Sequence, residues 1–294
     1  MDNRIDDIQD DELRVIGRPT EDGSAGKPNR KLWFAVSVAA LFVIVAVVIF
    51  WPDATDEGSV SVVFDQSTVV ETPKPAPEPI YPLGDYSDTT SKAYTEHLVK
   101  VVNDIPLDIY IPHNAKASLS IGTPNIRDRG IVLVTQAADI RADNGKINGA
   151  FVLEGKPLAW GLSKKGYVAI IGDKITVGVA DNSPFFEEAT ETGGCFFRQY
   201  ALVDNGVLVE NEPKNKAIRK AICDRAGEIM MIMSQSPESF HDFAQALVDL
   251  RVTNAVYLVG SMSYGYFRDK SGALTQICQK RRGGYKYENY IEWR

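Results

Sequence analysis

The chain has 294 residues with 32 Lys+Arg against 39 Asp+Glu, a net charge of −7. That length suits about two domains, and a mildly acidic balance argues against a nucleic-acid partner. The three cysteines, Cys195, Cys223 and Cys278, show no CxxC or Cys/His ligand spacing, which excludes an ordinary zinc site.

Residues 1–31 are polar, start acidic and lack apolar periodicity, so they read as a disordered cytoplasmic tail. Residues 32–51, LWFAVSVAALFVIVAVVIFW, carry no charge. At about 1.5 Å per residue they reach about 30 Å, the thickness of a bilayer's hydrocarbon core. Lys27, Arg30 and Lys31 precede the run, while Asp53, Asp56 and Glu57 follow it. Positive flanks stay inside, so the sequence predicts a single-pass inner (plasma) membrane anchor. The N-terminus is then cytoplasmic and the C-terminal domain periplasmic or extracytoplasmic. The lipid bilayer is thus the first expected partner. Residues 52–90 form a linker whose centre, TPKPAPEPIYP, favours stiff polyproline II.

The ectodomain is predicted over 91–294 as a strand-rich α+β fold, a single mixed sheet with few helices. LDIYI at 107–111 and ASLSI at 117–121 alternate, and IVLVT at 131–135 is a continuous apolar run suited to a central strand. Three hairpins are predicted around Gly172-Asp173, Asp204-Asn205-Gly206 and Arg225-Ala226-Gly227. One helix is expected after Ser236 and Pro237, with Phe240, Phe243, Leu247 and Leu250 on one face. A buried strand follows at 255–259. In an oxidising compartment one disulfide plus a free thiol is one reading of the cysteines, and three buried unpaired thiols the other. Tyr285, Tyr287, Tyr290 and Trp293 are expected to pack a terminal strand.

His97, His113 and His241 lie far apart, and no GxSxG, HExxH, Walker or Rossmann pattern occurs. A set of short pieces in order says more. Ile147-Asn148-Gly149-Ala150-Phe151 comes first, then the 200–206 hairpin, then Ala217-Ile218-Arg219-Lys220-Ala221-Ile222. The helix and Asn254-Ala255-Val256-Tyr257-Leu258-Val259-Gly260-Ser261 close the series. Over roughly 95–270 this resembles the phosphodiester glycosidase family. The family's pieces are an N-G-G/A-F-F turn, an R-x-A-I-G strand and an L-D-G-G-x-S strand end.

The resemblance implies that fold, together with hydrolysis of a sugar-1-phosphodiester in envelope glycans or exopolysaccharide and a glycan or sugar-phosphate ligand. It implies catalytic roles for Asn148 and Arg219, and substrate contacts at Gly149, Gly260, Ser261, Ser263 and Arg268. The family's strand-end Asp falls at Val259, and an isopropyl group cannot accept a proton or orient water. Asp269 is the nearest carboxylate that could stand in. The alternative is a non-catalytic glycan or protein binder. No cofactor and no metal is called for. Arg219 suits a bidentate phosphate contact or a structural ion pair, and Asn148-Gly149 an oxyanion contact or a plain tight turn.

Overall fold

The computed structural model describes residues 78–87, 89–260, 263–278 and 284–294. The expected tail, the apolar run at 32–51 and most of the Pro-rich linker lie outside these residues. Among the described residues no helix is long and apolar enough to cross a membrane.

The fold is α+β and mostly sheet, with two helices among the described residues. In chain order the strands are β1 (Tyr94–Val102), β2 (Ile105–His113), β3 (Ala117–Ile121), β4 (Leu133–Gln136), β5 (Ala150–Leu153) and β6 (Lys156–Trp160). Then come β7 (Gly166–Ile171), β8 (Lys174–Val179), helix α1 (Phe185–Thr192), β9 (Cys195–Gln199), β10 (Ala201–Asp204) and β11 (Val207–Leu208). The last are β12 (Lys220–Arg225), β13 (Glu228–Ser234), helix α2 (Phe240–Asp249), β14 (Asn254–Leu258), β15 (Gly265–Arg268), β16 (Leu274–Cys278) and β17 (Asn289–Trp293).

The strands form three sheets rather than the single one expected. The first has seven strands in the order β1-β2-β13-β12-β14-β10-β11. The second is β16-β15-β4-β17-β3 and the third β6-β5-β9-β7-β8. Strand alternation gives the first sheet two different faces. Ile222, Met231, Val256 and Leu258 join Leu133, Phe267, Ile291 and Trp293 of the second sheet and Phe151, Val168 and Phe197 of the third in the main core. Ala221, Cys223, Met230 and Tyr257 face the other way, onto Phe240, Phe243 and Leu247 of α2.

All three expected hairpins form. The helix starts later than expected: Ser239, not Ser236, is its N-cap and accepts from the Asp242 N–H. Of the aromatic tail, Tyr290 and Trp293 lie in β17, buried in mid-sheet between β4 and β3, whereas Tyr285 and Tyr287 precede the strand and Tyr285 is exposed. Cys195, Cys223 and Cys278 form no disulfide among the described residues, Cys195 and Cys223 being buried and Cys278 half-buried. Gly193-Gly194 ends α1, with Gly193 in the left-handed region and the Gly194 N–H on the Ala189 carbonyl.

Residues 78–87, read as linker from their prolines, lie against the first sheet. Glu228 accepts the Leu83 and Gly84 N–H groups, both at 2.9 Å, and the Tyr86 hydroxyl at 3.1 Å. Arg225 donates to the Tyr81 carbonyl at 2.6 Å.

Candidate functional site

The candidate site is built where the ends of β4, β9 and β14 meet. The Val259 N–H, just past β14, donates to the Ala137 carbonyl, just past β4, at 3.3 Å. Two residues further, the Asp139 carbonyl accepts the Asn148 N–H at 2.8 Å. This puts the Asn148-Gly149 turn beside the strand ends. Gly149 has φ +103°, and a Cβ there would lie 3.0 Å from the Arg198 carbonyl. Only glycine suits both the backbone and the approach.

Lys164 enters from the loop between β6 and β7. Its ammonium pairs with the Asp139 carboxylate, donates to Gln199 Oε1 at 2.5 Å and sits 4.1 Å from the centre of the Tyr200 ring. All three polar groups are buried. Gln199 Oε1 also accepts the Tyr200 N–H at 3.0 Å. Both contacts come from donors, so the amide orientation is determined. Its Nε2 is then left buried with no hydrogen-bond partner among the described residues. A buried donor without an acceptor is costly, about 1–3 kcal/mol, and a ligand oxygen would relieve it.

The Tyr200 ring continues the site toward Arg219. Tyr200, Phe240 and Tyr257 pack in a trio, with ring centres 4.9–6.4 Å apart. The Arg219 guanidinium stacks 4.0 Å above Phe240. It is fully buried, and donates to the Glu238 carbonyl at 2.9 Å and the Asn215 carbonyl at 2.5 Å. The Gly260 N–H donates to the Tyr257 hydroxyl at 3.1 Å. Asn148, Gly149, Arg219 and Gly260 are thus joined through Asp139, Lys164 and the aromatic trio.

Lys220 follows Arg219 and points to the opposite face. It is fully buried, pairs in register with Leu258, and donates to Ser263 Oγ. Ser263 Oγ in turn donates to the Val259 carbonyl at 2.7 Å. Burial pushes the Lys220 ammonium down to about 8.

The other expected residues lie elsewhere. Asp269 closes its own turn between β15 and β16, accepting the Ser271 hydroxyl at 2.6 Å and the Ala273 N–H at 3.0 Å. That hydroxyl holds its carboxyl below the usual range. Arg268 donates to the Ile126 carbonyl at 2.7 Å. Ser261 lies outside the described residues. The Val259 side chain is apolar and half-buried where the resemblance expects a carboxylate. The histidines are all engaged: His97 with Asp108, His113 with Glu96 and His241 with Glu210.

Asp139, Lys164, Gln199 and Tyr200 carry no sequence signal as a group. Sixty residues separate them, and only the meeting of two sheets brings them together. Among the described residues no group of three or more His, Cys, Asp or Glu could hold a metal.

No protein-family model matches the chain, and no curated protein sequence matches it. Solved structures that share its fold include the following two. One is the zebrafish N-acetylglucosamine-1-phosphodiester alpha-N-acetylglucosaminidase catalytic domain, auto-inhibited by its pro-peptide. It is 13% identical with a TM-score of 0.51, over 70% of this chain and 84% of that one. The other is a hypothetical protein from Synechocystis, 12% identical with a TM-score of 0.51, over 68% of this chain and 61% of that one. At such identities the likeness is one of fold: the chain distantly resembles a phosphodiester glycosidase domain.

Proposed function

We propose that the strand-end site binds an anionic glycan, a sugar-1-phosphate or its diester. The observation that carries this reading is a charge imbalance. Lys164 and Arg219 are buried against the two sides of the aromatic trio, with Lys220 buried on the opposite face of the same strand, and Asp139 is the carboxylate that pairs with Lys164. Buried cations are costly unless an anion compensates them. The chain as a whole is acidic, so the surplus is local. The orphaned Gln199 Nε2 adds a donor for a ligand oxygen, and Asn148 an amide for a hydroxyl. The fold's likeness to a phosphodiester glycosidase domain supports the same ligand class. Val259 and the outlying Asp269 leave the site without the carboxylate the resemblance expects, so the proposal is a binder rather than an enzyme of that family's type. Isothermal titration with glucose-1-phosphate tests it. Asn148→Ala should weaken binding about fivefold, the worth of one ordinary hydrogen bond, with the melting temperature unchanged. No binding by the natural chain at millimolar ligand would refute the reading.

The domain is further proposed to hang outside the membrane from residues 32–51. A reporter fused after Arg294 should then be active outside the cell, and cytoplasmic activity would overturn this topology.

A further inference from the structure

We infer that Ser263 and Lys220 form a nucleophile–base pair that hydrolyses an ester carbonyl on an acylated anionic glycan. The inference rests on the proposed ligand site. It adds a chemistry that neither the sequence motifs nor the fold likeness assigns.

Three observations carry it. Lys220 is fully buried, and burial and the Cys278 thiol, with no carboxylate, are what act on its ammonium among the described residues. Its hydrogen-bond partners are the hydroxyl and the carbonyl of one serine. A buried amine without a carboxylate partner gives up its proton at a lower pH than a free lysine, and a neutral amine touching a hydroxyl is the arrangement of a serine–lysine dyad. Burial lowers the Lys220 pKa to about 8, while the Cys278 thiol on β16 is the titratable group that opposes this. Ser263 is itself oriented. Its Oγ is held on the Val259 carbonyl at 2.7 Å and its N–H on the Gly260 carbonyl at 3.2 Å. Val259 is bonded to Ala137, two residues before Asp139. The pair therefore flanks the strand-end site.

The step balances without a cofactor. The Ser263 hydroxyl, which rests on the Val259 carbonyl, first rotates to direct its proton at the neutral Lys220 Nζ, and that proton passes to Nζ as the Oγ–C bond forms at the ester carbon. The tetrahedral centre collapses, the C–O bond to the glycan oxygen breaks, and that oxygen takes the proton from Nζ. Water, deprotonated by the neutral amine, then attacks the acyl-serine, releasing the acid and restoring Ser263.

The test is labelling of the full chain by an alkyl fluorophosphonate, read by mass spectrometry of the Ser263 peptide. Ser263 should be modified in the folded chain and not in urea, with a rate that rises with pH through about 8. Ser263→Ala should abolish the label. Lys220→Met, close in volume, should slow it by about a hundredfold or more, the contribution of a general base. Its melting curve shows whether it is folded. Cys278→Ser should leave the label unchanged. An unlabelled Ser263 in the natural chain, or equal labelling in folded Lys220→Met, would overturn the dyad. Glucose-1-phosphate titrations on the same samples separate the two readings. Binding without labelling refutes the dyad alone, and labelling without binding refutes the ligand assignment alone.

Discussion

Lys220 has a measurable consequence for stability. Its pKa falls from 10.5 to about 8 on burial. Below about pH 8 the lysine is protonated in both folded and unfolded chains, and the folded state carries the full cost of burying the charge. Between about 8 and 10.5 the folded chain has lost the proton and the unfolded chain keeps it. The unfolded state then binds more protons, so stability rises with pH. At about 1.4 kcal/mol per pH unit, the whole window is worth roughly 3 kcal/mol. Other groups titrate in the same range, so the contribution is read as a difference. Urea unfolding at 25 °C of the natural chain and of Lys220→Met, at pH 7, 9 and 10, provides it. The natural chain should gain roughly 2–3 kcal/mol on the variant between pH 7 and 10. A difference that stays constant with pH would refute the reasoning and mean that Lys220 keeps its charge in the folded protein.

Three further outcomes are expected. Arg219→Lys keeps the charge but loses the fork on the Glu238 and Asn215 carbonyls and the stacking on Phe240, and should cost roughly 2–4 kcal/mol in urea unfolding. Unchanged stability would show that those bonds carry nothing. Gly260→Ala would place a Cβ 2.5 Å from the Ile218 carbonyl and 2.7 Å from the Tyr257 hydroxyl, so the strand end must shift. A loss of about 1–3 kcal/mol is expected by thermal melting, and an unchanged melting temperature would contradict the packing. Glu228→Ala removes the acceptor for Leu83, Gly84 and Tyr86, and limited proteolysis should then cut within residues 78–87 far sooner than in the natural chain. Equal cutting rates would mean that the strap is held by other groups.

The local pieces were legible because they rest on short-range physics. Gly172-Asp173, Asn205-Gly206 and Ala226-Gly227 mark hairpins since the turns need positive φ, which Gly172, Asn205, Gly206, Ala226 and Gly227 adopt. The apolar stripe from Phe240 to Leu247 marks a helix, though its cap lies at Ser239 rather than Ser236 because Ser239 is the residue whose hydroxyl reaches the Asp242 N–H. The α+β class follows from these elements and from the resemblance.

The division into three sheets and the composition of the site follow from packing. Arg219 and Lys220 are neighbours in sequence, yet strand alternation sends one onto α2 and the other into the main core beside Ser263. The sequence singled out Arg219 by its motif and passed over Lys220, whose low pKa comes entirely from being buried without a carboxylate. Asp269, a natural stand-in by its place in the chain, is spent on its own turn. Asp139, Lys164 and Gln199 become one cluster only where the second and third sheets meet. Periodicity and turn chemistry act over a few residues and can be read directly. Burial, charge compensation and the facing of side chains across sheets depend on the closed fold, and these make the site.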